Sequence, residues 1–364
     1  MSKSTKVMHV IADLGSGGAE RQLVELLKSN PSHILLVFKN VGAYKNELDF
    51  YKINYLELNI KKPISIIFHL FKIAKIIKSK NEMIIHSWMY NACLIIFLAK
   101  FISNIRNPIV WGIRCSNMDL KHYSIIFKLT FLLCKFFSNK ANYIIYNSYA
   151  CFKYHKKSGF SNQSSKVILN GIDNKRFLFS SNYRHKLREK LHIKSNDTVI
   201  ICAARVDPMK NHINLLKAFS KIRISNKKAL LVLIGKGTEK LPVQDGVVSL
   251  GLQLNIENYY SVGDIIILPS KFGEGFPNVL AEGMLCKLYP IVTDVGDASN
   301  IISDIGIVVK GTTDKGIFDA LEKALKIRKS RMKILQKKSM NRILMKFNVK
   351  KMAAKYNDCY KELK

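Results

Sequence analysis

Asp264–Asn300 reads DIIILPSKFGEGFPNVLAEGMLCKLYPIVTDVGDASN, and the fold is decided within it. Ile265–Leu268 is an unbroken apolar run of strand length, as in a strand buried in a parallel sheet. Pro269 ends the run. The loop Lys271–Phe276 carries Gly273 and Gly275, and Pro277 stands where a first helical residue belongs. Asn278–Cys286 has helical character, and Leu288–Thr293 reads as the next strand. Strand, glycine loop, helix and strand in that order make one step of an α/β fold.

A glycine-containing loop that feeds a helix N-terminus favours an anion, through backbone N–H groups and the helix dipole. Two carboxylates frame this one. Glu274 lies in the loop and Glu282 about one and a half turns into the helix. Glu274 precedes the helix, so the two cannot share a helical face, but they can flank one extended ligand and accept hydrogen bonds from its hydroxyls. A phosphate between two polyols describes a nucleotide sugar. The plainer reading is a solvated helix residue and a loop charge, the common fate of glutamates.

Glu274-Gly-Phe-Pro-Asn-Val-Leu-Ala-Glu282, followed by Pro290-Ile-Val-Thr-Asp294, resembles the donor-binding signature of the retaining glycosyltransferases of family 4, where two glutamates stand with seven residues between them. The resemblance implies an α/β fold of the GT-B type, two Rossmann-like doubly wound domains facing each other across a cleft. It implies retaining transfer from a UDP- or GDP-linked sugar, with no metal or other cofactor, to a lipid-linked glycan in the assembly of O-antigen, capsule or lipopolysaccharide. The enzyme would sit peripherally on the inner face of the cytoplasmic membrane. Carried onto this chain, it assigns Glu274 to catalysis and Gly275, Phe276, Pro277, Asn278, Val279 and Glu282 to the donor.

The remainder of the chain has the same rhythm. Lys6–Ala12, Ile34–Phe38, Tyr55–Leu58, Met83–His86, Ile109–Ile113, Tyr143–Tyr146 and Val167–Leu169 read as strands with helices between them, which predicts a parallel sheet covered on both faces. Asp13-Leu-Gly-Ser-Gly-Gly-Ala-Glu20 is a glycine turn into a helix. Lys39 and Asn40 end the next strand where a dinucleotide site would place an acidic ribose ligand, which weakens a nicotinamide-dependent enzyme as an alternative. The run resembles the family's N-terminal loop, and puts Gly17 and Gly18 beside the donor diphosphate. His86, Arg114 and Asn147 are expected at strand ends. The resemblance assigns a histidine near the donor sugar to catalysis, here His86, although Asn91 stands where relatives carry a second histidine. Arg114 either meets phosphate or pairs with Asp119.

Asn170-Gly-Ile-Asp173 resembles the interdomain hinge, so Asn170 is a candidate cleft residue with Arg114. The expected organisation is residues 1–175 as an acceptor-side domain, 176–345 as a nucleotide-sugar domain, and 346–364 as a helix crossing back to the first. Thr198–Ala203 opens the second half. Arg205 and Lys210, two cations in the loop after this strand, suit a diphosphate, and the resemblance gives them that role. Ala203-Ala204 departs from the glycine common in relatives. Because loop residues tolerate substitution, alanine variants of both cations are expected to fold normally.

Composition sets outer limits. At 364 residues the chain can hold two domains. Its seven cysteines, Cys93, Cys115, Cys134, Cys151, Cys202, Cys286 and Cys359, are odd in number and lack metal-ligand spacing, which fits a reducing cytoplasm. Val7–Ala12 is too short for a signal peptide, and no charge-free stretch is long enough to span a bilayer. The net charge of +33 reflects either coding bias or an anionic partner. Basic and acidic residues number 25 and 9 through Lys175 and 34 and 17 after it. That even division favours a general bias over a nucleic-acid patch. Helix Ser124–Phe137 is apolar apart from Lys128 and Lys135, and is either a core helix with snorkelling lysines or a docking surface for an anionic membrane. From Leu321 onward 15 basic residues face 3 acidic ones, the pattern of a solvated face.

Overall fold

The structure, a computed structural model, describes residues 5–15, 17–61, 65, 68–117 and 120–363. It divides into two compact units: residues 1–171 with 349–364, and residues 172–348.

The first unit runs β1 (Val7–Ile11), α1 (Gly18–Ser29), β2 (Ile34–Val37), α2 (Lys45–Phe50), β3 (Asn54–Glu57), α3 (Leu70–Lys78), β4 (Ile84–Trp88), α4 (Met89–Ser103), β5 (Ile109–Ile113), α5 (Ile125–Phe137), β6 (Tyr143–Tyr146), α6 (Tyr149–Lys157) and β7 (Ser165–Val167). The second runs α7 (Ser181–Lys190), β8 (Thr198–Ala203), α8 (His212–Ser225), β9 (Ala229–Ile234), β10 (Val247–Ser249), α9 (Ile256–Tyr260), β11 (Ile265–Leu268), α10 (Asn278–Leu285), β12 (Tyr289–Thr293), α11 (Ala298–Ile302), β13 (Ile307–Val309), α12 (Asp314–Leu325) and α13 (Lys329–Lys346). The last helix, α14 (Val349–Lys361), belongs to the first unit.

Every strand pairing is parallel. The strand orders are β3-β2-β1-β4-β5-β6-β7 and β10-β9-β8-β11-β12-β13. Each sheet therefore reverses direction of growth once, between β1 and β4 and between β8 and β11. Open α/β sheets bind ligands beyond the carboxyl ends of the strands at such a reversal. In the second unit those ends carry Ala204–Lys210 and Ser270–Pro277.

The central strands are apolar on both faces because helices cover both. In β1, Met8 and Val10 join one buried cluster and Val7 and Ile11 the other, the period-two split of a strand. Met352, Ala353, Tyr356 and Tyr360 of α14 pack into the second of these. Some helices start at side-chain caps: Ser124 accepts from the Phe127 amide before α5, and Thr313 from the Gly316 amide before α12.

α5 is not the buried helix that one reading of its sequence allows. Phe131 and Cys134 face inward, but Ile125, Ile126, Leu129, Leu132 and Phe136 are exposed. α4 packs between α3 and α5. Phe71 of α3 and Phe101 and Ile102 at the end of α4 are also exposed.

Candidate active site

In the second unit, two loops at the β8/β11 reversal are tied together before any ligand arrives. After β8, Asp207 accepts from the Met209 amide and caps a single 3-10 turn, Pro208–Lys210. Asn211 follows in the left-handed region (φ 60°). Its amide group donates to the carbonyls of Pro269 and Thr312. The Lys271 amide donates to the Met209 carbonyl at 2.8 Å. These bonds bring Lys210 against the β11 loop.

There the Lys210 ammonium meets Oε1 of Glu274 at 2.5 Å, and the Ser270 hydroxyl donates to the same oxygen at 2.6 Å. The pair is shielded, with side chains 13% and 7% exposed. Thr293 at the end of β12 donates to the Ser270 carbonyl at 2.6 Å and so holds the serine. Gly296 has φ 66°, and a Cβ there would lie 2.5 Å from the Glu274 carbonyl oxygen. Only glycine permits that approach. The Asp297 amide then donates to the Gly275 carbonyl.

Gly235 has the same role on the other side. A Cβ on it would stand 2.3 Å from the Ala204 carbonyl oxygen. Gly235, just after β9, thus lets that turn pass close against Ala204.

Arg205 is placed differently from Lys210. Its side chain is 60% exposed and pairs with Asp207 at 3.2 Å. Pro277 is the N-cap of α10 and not its first helical residue, and it contributes no capping side chain. Phe276 packs edge-on to Phe347. Asn278 is buried and Val279 half-buried at the helix start. Glu282 is wholly buried, and the Tyr260 hydroxyl donates to its Oε2 at 3.1 Å. The structure thus brings Lys210, Glu274 and the start of α10 together, leaves Arg205 reaching outward, and sets Glu282 below.

The first unit holds the other expected residues. Gly17 is the N-cap of α1 and Gly18 its first residue. The Glu20 carboxylate folds back over Gly17, 2.4 Å from where a Cβ would be. His86 does not stand at a strand end, because β4 runs on through Trp88. Its ring is wholly buried, and its Nδ1 lies 2.7 Å from the Tyr360 hydroxyl of α14. Burial and the neighbouring Arg114 cation push its pKa well below the usual imidazole range. The expectation of a histidine facing a ligand from a loop is corrected to a ring inside the sheet. Arg114 donates to Asn170 at 2.5 Å and to the Tyr356 hydroxyl at 2.8 Å, and lies over the Trp88 ring. Its alternative partner, Asp119, lies outside the described residues.

Ser270, Thr293, Tyr260, Gly235 and Gly296 were not among the residues expected at the site. Ser270 precedes Glu274 by four residues, a spacing that sequence can show. The others reach the site only through the sheet.

Residues 184–339 match the family described as glycosyl transferases group 1. That match lies wholly within the second unit. Over nearly its whole length the chain is 25% identical to the N-acetylgalactosamine-N,N'-diacetylbacillosaminyl-diphospho-undecaprenol 4-alpha-N-acetylgalactosaminyltransferase of Campylobacter jejuni subsp. jejuni serotype O:2, covering 88% of this chain and 91% of that one. It is also 25% identical to the capsular polysaccharide biosynthesis glycosyltransferase CapH of Staphylococcus aureus, covering 81% and 83%. Among solved structures, Anabaena HepE in complex with UDP superposes with a TM-score of 0.82 at 20% identity, over 98% of this chain and 100% of HepE. A glycosyltransferase from Rickettsia africae ESF-5 gives 0.80 at 22%, over 99% of each chain. The fold is GT-B, two Rossmann-like domains in one chain.

Proposed function

We propose that the chain is a retaining glycosyltransferase that moves a sugar from a UDP- or GDP-linked donor to a lipid-linked glycan during cell-surface polysaccharide assembly. The observation that carries this reading is the Lys210–Glu274 pair, set between two loops at the β8/β11 reversal and beside the start of α10. A diphosphate there meets a helix N-terminus and two cations. Lys210 spends one of its three ammonium donors on Glu274 and keeps two for phosphate. Arg205, exposed and held only by Asp207 among the described residues, can swing onto the same group.

In the reaction the bond between the anomeric carbon and the donor phosphate oxygen breaks. The acceptor oxygen forms a new bond on the same face, and its proton passes to the departing phosphate. Negative charge builds on that phosphate, and fixed cations stabilise it more in the transition state than in the ground state. These cations supply the role that a metal would otherwise have, so the reaction is proposed to need none. Glu282, oriented by Tyr260, is assigned to the donor ribose. Gly17 and Gly18, at the reversal of the first sheet, are assigned to ligand contact on that unit.

The Campylobacter relative is named for a diphospho-undecaprenol-linked acceptor, which supports a lipid-linked acceptor here. HepE crystallised with UDP and with UDP-glucose supports a uridine nucleotide. No helix among the described residues is long and apolar enough to cross a membrane. The exposed apolar face of α3, α4 and α5, with Lys128 and Lys135 among it, is assigned to the anionic inner face of the cytoplasmic membrane.

The test is a screen of UDP- and GDP-sugars with lipid diphosphate-linked acceptors, read as release of nucleoside diphosphate in excess chelator. One donor should support turnover. Release by none, with or without added metal, overturns the reading. Activity lost to chelator and restored by magnesium or manganese overturns only the role given to the cations.

A further inference from the structure

The lysine run of α13 is not absorbed by this function. Lys329–Lys346 contains seven lysines and arginines and no aspartate or glutamate. Lys329, Lys333 and Lys337 stand four residues apart on one ridge, where like charges repel along the helix. Four other surface lysines of this unit do pair with carboxylates: Lys221 with Asp314, Lys227 with Asp245, Lys315 with Asp319 and Lys326 with Glu322.

The ridge borders a cavity of about 790 Å³. It opens at the amino ends of the strands: Thr198 begins β8, Asp264 precedes β11 and Lys287 precedes β12. The proposed donor loops are at the opposite, carboxyl edge of the same sheet. The cavity's acidic groups are already engaged. Asp264 is bound by Arg184 at 2.7 Å and accepts from the Val199 amide, and Asp197 accepts from the Lys194 amide. Lys287, Lys329, Lys333 and Lys337 have no carboxylate partner among the described residues. Met332, Met340, Ile327 and Phe179 give the cavity apolar walls. A solvated helix face needs neither a concave wall nor an apolar one. A volume of this size holds a nucleotide-sized ligand.

We propose that this cavity is a second anion site, which takes a phosphorylated ligand with an apolar or aromatic body. The phosphate is held by Lys329, Lys333 and Lys337, and the body lies against the methionines. The source of the phosphate is either a soluble compound or an acidic lipid headgroup, and two probes separate them.

Inorganic tripolyphosphate is the soluble probe, followed by calorimetry on the full chain. Binding should persist in Arg205→Ala and fall at least tenfold in Lys333→Glu/Lys337→Glu. That double variant should keep its melting temperature and its rate of sugar transfer. Lys338→Glu/Lys346→Glu makes the same charge change on α13 outside the cavity and should bind like the wild type. Flotation with vesicles containing phosphatidic acid is the lipid probe. If tripolyphosphate does not bind but flotation depends on Lys333 and Lys337, and not on Lys338 and Lys346, the phosphate is a lipid's and the site stands. Equal loss from both charge-reversed pairs, or no dependence on Lys333 and Lys337 in either assay, overturns it. Neither outcome depends on a donor being found.

Discussion

Lys210→Ala is the perturbation that most sharply divides a structural from a chemical role at the site. As a loop cation, Lys210 is expected from sequence to be dispensable for folding. The structure says otherwise, because its removal leaves the Glu274 carboxylate 7% exposed with its cation gone. Breaking a shielded ion pair from one side costs roughly 3 kcal/mol, most of it the stranded charge. For a unit of this size that is a fall in melting temperature of about 6–12 °C. Glu274→Gln alone should cost less, because Ser270 can still donate to the amide oxygen and the lysine stem can turn its ammonium toward water. Adding Glu274→Gln to Lys210→Ala removes the stranded charge. The double variant should be more stable than Lys210→Ala by at least about 1 kcal/mol, a coupling ordinary for residues in contact. Turnover should be low in all three, since the proposed chemistry uses both groups. The assay is urea and thermal unfolding of the four proteins, with turnover at saturating donor. A Lys210→Ala protein that melts within about 2 °C of the wild type refutes the reasoning, as does a double variant no more stable than Lys210→Ala.

Arg205→Ala should do the reverse: stability within about 0.5 kcal/mol of the wild type, as for an exposed side chain, and turnover lower on the order of 10²-fold. Wild-type turnover would remove Arg205 from the diphosphate. The first unit should lose stability as pH falls from about 6.5 to 5, because His9, His86, His33 and His155 are held below the usual imidazole pKa, chiefly by burial, the last two at about 4. In that window the unfolded chain takes up protons that the native state refuses, and each such histidine removes up to about 1.4 kcal/mol per pH unit. For His9 the refusal is geometric as well: its Nδ1 accepts from the Trp88 indole, so it has no lone pair to spare for a proton. Stability of that unit unchanged between pH 7 and 5 would contradict this. Vesicles with anionic lipid should bind the chain more tightly than neutral ones. Ile125→Ser/Ile126→Ser/Phe136→Ser should weaken both without lowering the melting temperature. Equal flotation on both vesicle types would remove the electrostatic half of that assignment.

What was legible in the sequence is what depends on near neighbours in the chain. β5, β6, β8 and β11 occupy the residues their apolar runs mark, because strands covered on both faces need only be apolar. β4 runs two residues past His86, where its apolar run ends in the sequence. Ser87 is buried all the same, and its hydroxyl donates to the Val110 carbonyl. β13 is too short to be read from the sequence, being three residues long at a sheet edge. α5 shows its apolar content in sequence but not which side meets the core, since neither its content nor its periodicity names the element opposite.

The site divides along the same line. The glutamate motif marks Glu274, Pro277 and Glu282 because loop and helix start are contiguous. Nothing local says that Glu274 takes its cation from Lys210, 64 residues earlier, or that His86 is closed over by Tyr360, 274 residues later. Those partners decide function as much as residue type does. Buried beneath α14 in the middle of β4, His86 meets Tyr360 and not a ligand. Both cations pair with a carboxylate, but the Lys210 pair is shielded and the Arg205 pair is exposed. Two cations that look equivalent in one loop therefore have separable roles. In the proposed reaction Arg205 would follow the charge as it develops, whereas Lys210 would hold the loops in place and offer the phosphate only the donors that Glu274 leaves.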